Sequence, residues 1–247
     1  MFGNRDNGGN IKSSISPIWG STHELDAAVN SCLVRVFFRM FIALLITAAT
    51  AFAVSTSDAL IELITENMVV WYGLLIGQIA LVFIISLRIE KMAASTANLL
   101  FILYSFIMGV TLSLIFLVYE IGLIYQAFGI TALMFSAMAA FGAITKRDLT
   151  SVGSFCFMGL FGVIIASVVN MFLRSEMLDY IISYIAIFVF LGLTAYDTKR
   201  IKTMLYSANE SGQNEAIAKI STIGALWLYL DFINLFLRVL RIMGRRR

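Results

Sequence analysis

The sequence predicts an all-α membrane protein built from seven transmembrane helices, and two observations lead to that class. First, 60% of the 247 residues are hydrophobic and only 13% are charged, which leaves too little polar surface to cover a water-soluble domain. Second, the apolar residues form continuous runs of about 20 residues, the length that one helix needs to cross a bilayer. Because these runs show no in-out alternation, a transmembrane β-barrel is disfavoured.

The chain divides into a polar N-terminal tail and a membrane domain. Residues 1–30 are rich in Gly, Asn and Ser and include the only proline, Pro17, so a partly disordered tail is predicted there. Residues 31–247 are predicted to form the seven-helix domain. Its apolar runs are residues 33–54, 68–87, 99–119, 124–145, 152–173, 180–197 and 220–242. The longest connection is expected at residues 199–219, with residues 207–214 as its flexible crest.

The distribution of Lys and Arg predicts the orientation. If the N-terminus is cytoplasmic, the outer loops carry one basic residue, Arg174, and the inner segments carry twelve, as the positive-inside rule requires. The twelve are Arg5, Lys12, Arg35, Arg39, Arg88, Lys91, Lys146, Arg147, Lys199, Arg200, Lys202 and Lys219. The last run would then place Arg238, Arg241 and residues 245–247 outside, against the rule. A full crossing is still favoured over a re-entrant turn, because its 23 residues span about 34 Å.

Residue counts exclude several kinds of site. The two cysteines, Cys32 and Cys156, form no CxxC pair, and the single histidine is His23, so neither a disulfide framework nor a Cys/His zinc site is expected. The Gly-rich tail lacks a following strand-helix pattern and the basic residues lie at helix ends, which argues against nucleotide and nucleic-acid sites. We therefore expect no enzyme activity, no nucleic-acid partner and no tightly bound cofactor.

The candidate functional residues are polar side chains within or beside the apolar runs. Asp231 lies at the centre of the seventh run, where a charged carboxylate costs about 2.5–3.5 kcal/mol on insertion scales. Asn234 and Arg238 follow three and seven residues later, so the three form one polar stripe that should face the bundle interior. Asp197 closes the sixth run. An intramembrane aspartyl protease is disfavoured, because Asp231 lacks the Gly-x-Gly-Asp motif of those enzymes.

Two carboxylates on neighbouring helices would form a proton and cation switch. In a low-dielectric interior Asp197 and Asp231 cannot both ionise without a cation, so they would share a proton. A calcium ion could replace that proton. Two carboxylates, Asn234 and water offer fewer oxygens than the about 6 to 8 that calcium prefers, which suits passage more than storage. Arg88, at the inner end of the second run, offers a competing partner and hence a latch.

Other interpretations of the same residues stay open. Asp231 could form a buried salt bridge with Arg238 or Arg88 that only fixes the packing. Gln78, in the middle of the second run, is more typical of a helix-helix hydrogen bond than of a ligand. A proton-coupled transporter would use the same acids but would accumulate its substrate, whereas a leak only dissipates gradients.

Two segments carry a family signature. AYDT at residues 195–198 is followed by RIK, and LYLDFINLF at residues 228–236 is followed by LRI. With further matches at residues 88–92 and 145–149, they make the chain resemble the transmembrane Bax inhibitor motif (Bax inhibitor-1-like) family in its bacterial branch, from about residue 25 to the end. The resemblance implies seven helices with the last one central and wrapped by the other six. It also implies a multi-pass protein of the bacterial inner membrane with a cytoplasmic N-terminus.

The same resemblance implies a function. Family members are described as pH-sensitive calcium leak channels, in which Asp197 and Asp231 would here form the paired-aspartate sensor and Arg88 the latch. A second-helix glutamate that some members pair with the arginine has no acidic counterpart here, and Gln78 is the nearest polar residue. Bacterial relatives also bind a membrane-bound AAA protease, so the alternative is a regulatory partner without conduction of its own, with the tail as a handle. The expected partners are the lipid bilayer, permeating Ca²⁺ and, in the alternative, such a protease.

Overall fold

The computed structural model describes residues 22–244, and this part of the chain consists of helices and short connections without a strand. Seven of its segments are helical, long and apolar enough to cross a membrane, α4 and α5 together forming one of them. The predicted seven-helix class is therefore confirmed. The helices are α1 (Thr22–Ser55), α2 (Asp58–Glu66), α3 (Met68–Arg88), α4 (Ala94–Leu112), α5 (Ile115–Val118), α6 (Ile121–Ile144), α7 (Thr150–Leu173), α8 (Glu176–Glu210) and α9 (Asn214–Gly244).

The last helix, α9, is the central one. In its most apolar stretch 72% of the residues are buried, against 11% for α3. It packs against α8, α1, α6 and α4, whereas α3 packs mainly on α4 and α7 mainly on α8. The predicted central position of the last helix is confirmed, with four helices rather than six forming most of its surroundings. Its uninterrupted course over 31 residues also agrees with a full crossing rather than a re-entrant turn.

The expectation of a long loop at residues 199–219 is wrong. α8 continues to Glu210, thirteen residues past Asp197, and only residues 211–213 connect it to α9. The charges after Asp197 end the apolar run, but the helix continues because one of its faces stays buried. That face has the spacing of an amphipathic helix and consists of Ile201, Leu205 and Ala208. The loss of hydrophobicity marks the edge of the membrane-like segment and not the end of the helix.

The first helix begins inside the segment predicted as a tail. Residues 22–30 are helical and belong to α1. The hydroxyl group of Tyr206 on α8 donates a hydrogen bond to the carboxylate of Asp26, so the two helices support each other beyond their apolar runs. The rest of the predicted tail, including the suggested handle for a protease, falls on residues 1–21 and lies outside the described residues.

Small residues fix the position of α8 against its neighbours. Gly153 of α7 lies directly against the ring of Tyr196, and Gly142 of α6 lies against the carbonyl oxygen of Ala195. A Cβ atom at either glycine would overlap that neighbour. Close approach through small residues is typical of helix packing in membranes. α6 and α7 therefore hold α8 at the two residues that precede Asp197.

Candidate functional site

Asp197 and Asp231 lie on neighbouring antiparallel helices at similar depths in the bundle. Along the helix axes, and measured from the link at residues 211–213, Asp197 is about 20 Å away on α8 and Asp231 about 26 Å away on α9. Both residues are buried, with exposed fractions of 7% and 5%. The fold thus brings the two predicted sensor residues to the same part of the interior.

The two acids line one cavity of about 530 Å³ between α7, α8 and α9, whose other walls are mainly apolar. The Oδ1 atom of Asp197 and the Oδ2 atom of Asp231 are buried, and no donor among the described residues reaches either oxygen. Ser167 of α7 also lines the cavity, and within the same part of the chain its buried hydroxyl group has no partner. Buried polar atoms are normally hydrogen-bonded. Three such oxygens around one cavity therefore indicate a place for a proton, water or a cation.

Two guanidinium groups line the same cavity, one on each side of the acid pair. Arg200 follows Asp197 by three residues and interacts with it electrostatically. Its Cζ atom lies 4.4 Å from the ring centroid of Trp227, a cation–π contact worth about 0.5–1 kcal/mol at exposed sites. Arg238 lines the cavity seven residues after Asp231, toward the opposite end of α9. The cavity therefore contains two acids between two permanent cations.

The polar stripe predicted on the last helix faces this cavity. Asp231, Asn234 and Arg238 all line it. The Nδ2 atom of Asn234 donates to the carbonyl oxygen of Leu230 at 2.8 Å, so one amide hydrogen is used within α9 itself. The buried Cys156 of α7 lies close enough to interact electrostatically with Asp231. The stripe thus supplies the cavity with an acid, an amide and a cation.

The structure does not bring Arg88, the predicted latch, to the acid pair. Arg88 is the exposed last residue of α3, and it is absent from the residues that line the cavity. The helix that carries it packs mainly on α4 and α2. The arginines beside the acids are Arg200 and Arg238 instead. A latch role for Arg88 therefore stays a prediction that would require α3 to move.

Gln78, named as a supporting polar residue, lies at a different interface. It is buried between α3 and α4, where its Nε2 atom donates to the Thr111 hydroxyl oxygen at 2.5 Å and to the Ile107 carbonyl oxygen at 3.3 Å. These hydrogen bonds join two helices, which is the common role of a glutamine in a membrane span.

Three residues of the cavity are missed by the sequence interpretation. The charge pattern counts Arg200 only among the inner basic residues, yet its spacing of three from Asp197 places both on one helical face. That spacing could have identified Arg200 as a neighbour of Asp197. Trp227 precedes Asp231 by four residues, and this spacing likewise places the two on one face of α9. Ser167 carries no such signal, because serines are ordinary components of helix interfaces in membranes.

A second polar cluster lies on another face of α9. The hydroxyl oxygens of Thr47 on α1 and Tyr229 are 2.7 Å apart. Thr47 also donates toward the carbonyl oxygens of Ser105 at 2.9 Å and of Ala43 at 3.0 Å. Because a threonine hydroxyl has a single hydrogen, Tyr229 donates to Thr47 and Thr47 donates to a carbonyl oxygen. Every hydroxyl hydrogen of this cluster therefore has an acceptor.

These features define a class of protein: a seven-helix membrane protein whose last two helices enclose a pair of buried acids. The family model described as "Inhibitor of apoptosis-promoting Bax1" matches residues 29–247. The chain belongs to this Bax inhibitor-1-like family, as its two signature segments predicted.

Individual bacterial proteins are similar to it over nearly their whole length. The inner membrane protein YbhL of Escherichia coli (strain K12) is 45% identical over 221 residues, which cover 90% of this chain and 94% of that protein. A protein of Borreliella burgdorferi is 44% identical over 218 residues, or 88% of this chain and 93% of its own. Protein RP147 of Rickettsia prowazekii is 38% identical over 224 residues, with coverages of 90% and 92%.

Proposed function

We propose that the protein is a passive, pH-sensitive calcium leak channel of a bacterial inner membrane, in which Asp197 and Asp231 form the proton and cation switch. The observation that carries this proposal is that both acids present buried oxygens, which no donor among the described residues reaches, to one cavity between α7, α8 and α9. Acids within membrane helices are usually paired, and those that face a cavity commonly mark ion or proton paths. The resemblance of the two signature segments to the family implies the same activity.

Charge balance explains why such a site responds to both protons and calcium. Two ionised carboxylates side by side in a low-dielectric cavity repel each other. One shared proton removes one negative charge, and one divalent cation neutralises both. Protons and Ca²⁺ therefore compete for the same oxygens, and a higher proton concentration lowers the occupancy of the site by calcium.

The charged and titratable groups that face the acid pair come from all three helices around the cavity. They are Cys156 of α7, Arg200 of α8 and Arg238 of α9. Arginine stays charged at every physiological pH, and an ordinary thiol ionises only near about pH 8.5. A pH dependence between about pH 5 and 8 is therefore expected to come from Asp197 and Asp231.

The available donors favour passage of the ion over storage. Within residues 22–244 no group of three or more His, Cys, Asp or Glu residues could hold a metal ion. Calcium takes about 6 to 8 oxygen ligands, so most of its ligands at this site would be water molecules. An ion held in this way exchanges readily, as a leak requires.

The proposed orientation places the N-terminus in the cytoplasm. The turn between α6 and α7 carries Lys146 and Arg147, whereas α2, at the opposite end of the bundle, carries Asp58, Glu62 and Glu66. An excess of basic residues marks the cytoplasmic side of membrane proteins. The end of the bundle at which α8 meets α9 would therefore be cytoplasmic.

Calcium flux into proteoliposomes of the purified full chain tests this proposal. We expect the wild type to conduct Ca²⁺ at a rate that varies between about pH 5 and 8. Asp197→Asn and Asp231→Asn keep the size of each side chain but remove its ionisation. Each variant is expected to abolish the pH dependence, because the remaining acid has lost the neighbour with which it shares a proton.

Asp148 provides a matched control. Its Oδ1 atom accepts hydrogen bonds from the Thr150 hydroxyl group at 2.6 Å and the Thr150 N–H at 2.9 Å, and these bonds hold the pKa of Asp148 below its usual value. A carboxyl with a lowered pKa stays ionised above it and loses its stabilising contribution only as the pH falls through that value. Asp148→Asn should therefore leave the pH profile between about pH 5 and 8 unchanged.

Two results would overturn the proposal. One is a pH dependence that persists in both Asp197→Asn and Asp231→Asn. The other is a wild-type protein that folds in vesicles and conducts no calcium, which would leave the regulatory partnership with a membrane protease and the proton-coupled transporter as the remaining predictions.

A further inference from the structure

We infer that Arg200, held over the ring of Trp227, and Arg238 are two electrostatic barriers on the ion path, and that they set its preference between divalent and monovalent cations. This inference rests on the proposed passage of cations along the acid pair. It concerns selectivity, which the acid pair alone does not determine.

The residues that line the cavity are ordered along the helix axes. Measured from the link between α8 and α9, Arg200 lies at about 15 Å, Asp197 and Trp227 at about 20 Å, Asp231 at about 26 Å and Arg238 at about 36 Å. All five line the same cavity. A cation that moves along this cavity would therefore pass a guanidinium group, two acids and a second guanidinium group in that order.

A second cavity extends the path beyond Arg238. Its volume is about 250 Å³, it shares Asn234 and Arg238 with the first cavity, and Tyr119 and Arg241 form part of its other walls. Arg241 forms a salt bridge with Asp179 of α8 at 3.0 Å. Arg238 thus lies where the two cavities meet, so an ion that leaves the acid pair toward this end passes its side chain.

Arg200 occupies the corresponding place on the other side. Its side chain is exposed, and its guanidinium group lies over Trp227 of the neighbouring helix. The face of the Trp227 ring gives the guanidinium group of Arg200 a partner other than Asp197. Asp197 lies about one helical turn further along the path. The contact with Trp227 therefore keeps the positive charge beside the path and leaves the acid available to a passing ion.

A fixed positive charge affects ions according to their own charge. The Coulomb energy between the guanidinium group and an ion is proportional to the charge of that ion. The guanidinium group therefore contributes about twice as much to the barrier for Ca²⁺ as to the barrier for K⁺. Since rates depend exponentially on barriers, removal of the charge should raise the calcium flux by about the square of the factor by which it raises the potassium flux. A change that merely widened the path would raise both fluxes by similar factors.

The experiment measures Ca²⁺ and K⁺ fluxes in the same proteoliposome preparations. Arg200→Gln is expected to raise both fluxes and to raise the ratio of calcium to potassium flux. Arg200→Lys keeps the charge and should keep the wild-type ratio. Trp227→Leu is expected to lower the calcium flux, because the freed guanidinium group can then pair with Asp197. Arg147→Gln is the matched control, since Arg147 is exposed at the same end but does not line the cavity.

The outcomes separate this inference from the proposed function. If the wild type conducts calcium and Arg200→Gln leaves the ratio of calcium to potassium flux unchanged, the inference about the electrostatic barriers is overturned. The proposed calcium leak function then still stands. If the wild type conducts neither ion, both fail. Size-exclusion profiles and thermal unfolding show whether each variant is folded. Should Arg200→Gln not fold, Arg238→Gln makes the same test from the other end of the acid pair, and an unchanged ratio there overturns the inference.

Discussion

Two polar clusters on α9 lie within three residues of each other, and they differ in how their hydrogen bonds are completed. Tyr229 donates to Thr47, which in turn donates to a backbone carbonyl oxygen. Asp231 instead presents a buried oxygen that no donor in the described part of the chain reaches. Completed hydrogen bonds stabilise a membrane bundle, whereas incomplete ones destabilise it. The difference indicates that the first cluster serves the fold and the second serves an exchangeable proton or ion.

The surroundings of the two clusters differ in the same way. Tyr229 is fully buried, and the rings of Phe101 and Tyr104 pack edge-on against it with centroid distances of 5.7 and 5.8 Å. Asp231 is also buried but faces the cavity of about 530 Å³. Close packing leaves Tyr229 no room for a ligand, and the cavity leaves Asp231 room for water and a cation.

Substitution of the acid should raise stability. Asp231→Leu removes a carboxyl group that lacks a complete set of partners from the bundle interior, and the adjacent cavity can accept the new side chain. We expect the free energy of unfolding to rise by up to about 2.5–3.5 kcal/mol, the insertion cost of a charged residue at mid-membrane depth. Denaturant unfolding in detergent micelles measures this change. A clear loss of stability would mean that Asp231 has a structural partner.

Removal of the hydroxyl group on the other face of α9 should have a smaller effect of the opposite sign. Tyr229→Phe keeps the ring packing and deletes one buried hydrogen bond, so the free energy of unfolding should fall by about 1 kcal/mol. The pH profile of calcium flux should be that of the wild type. The distinction between the two clusters would fail if this variant changed the pH profile as Asp231→Asn does.

Much of the fold follows from the sequence because the bilayer imposes a length and a composition on each helix. The seven apolar runs are one example, and the polar stripe at Asp231, Asn234 and Arg238 predicts which face of α9 turns to the interior. The central position of α9 was implied by the family resemblance alone. The helical extension to Glu210 could not be seen by this criterion, since its residues lie past the apolar run and depend on packing for their structure. Hydrophobicity therefore indicates which residues lie in the membrane, whereas the helical periodicity of buried residues indicates how far the helix continues.

The candidate site was predictable in part for a similar reason. Asp197 and Asp231 are conspicuous because charged residues in or beside apolar runs are rare. The short link at residues 211–213 that joins their two helices was not predicted. Arg200 and Trp227 lie on different helices, and their contact depends on the relative rotation of α8 and α9. That rotation is set by close contacts such as Gly153 against Tyr196, which no single-helix pattern contains. The position of Arg88 likewise depends on how α3 packs.

Infrared spectroscopy of the protein in lipid vesicles tests the central claim most directly, because a protonated carboxyl group has a C=O stretch that an ionised carboxylate lacks. If Asp197 and Asp231 share one proton, the wild type should show this band at neutral pH, and added Ca²⁺ should remove it. The band should be lost in Asp197→Asn and in Asp231→Asn but retained in Asp148→Asn. A wild-type spectrum without the band at neutral pH, or a band that persists in both Asn variants of the pair, would contradict the account.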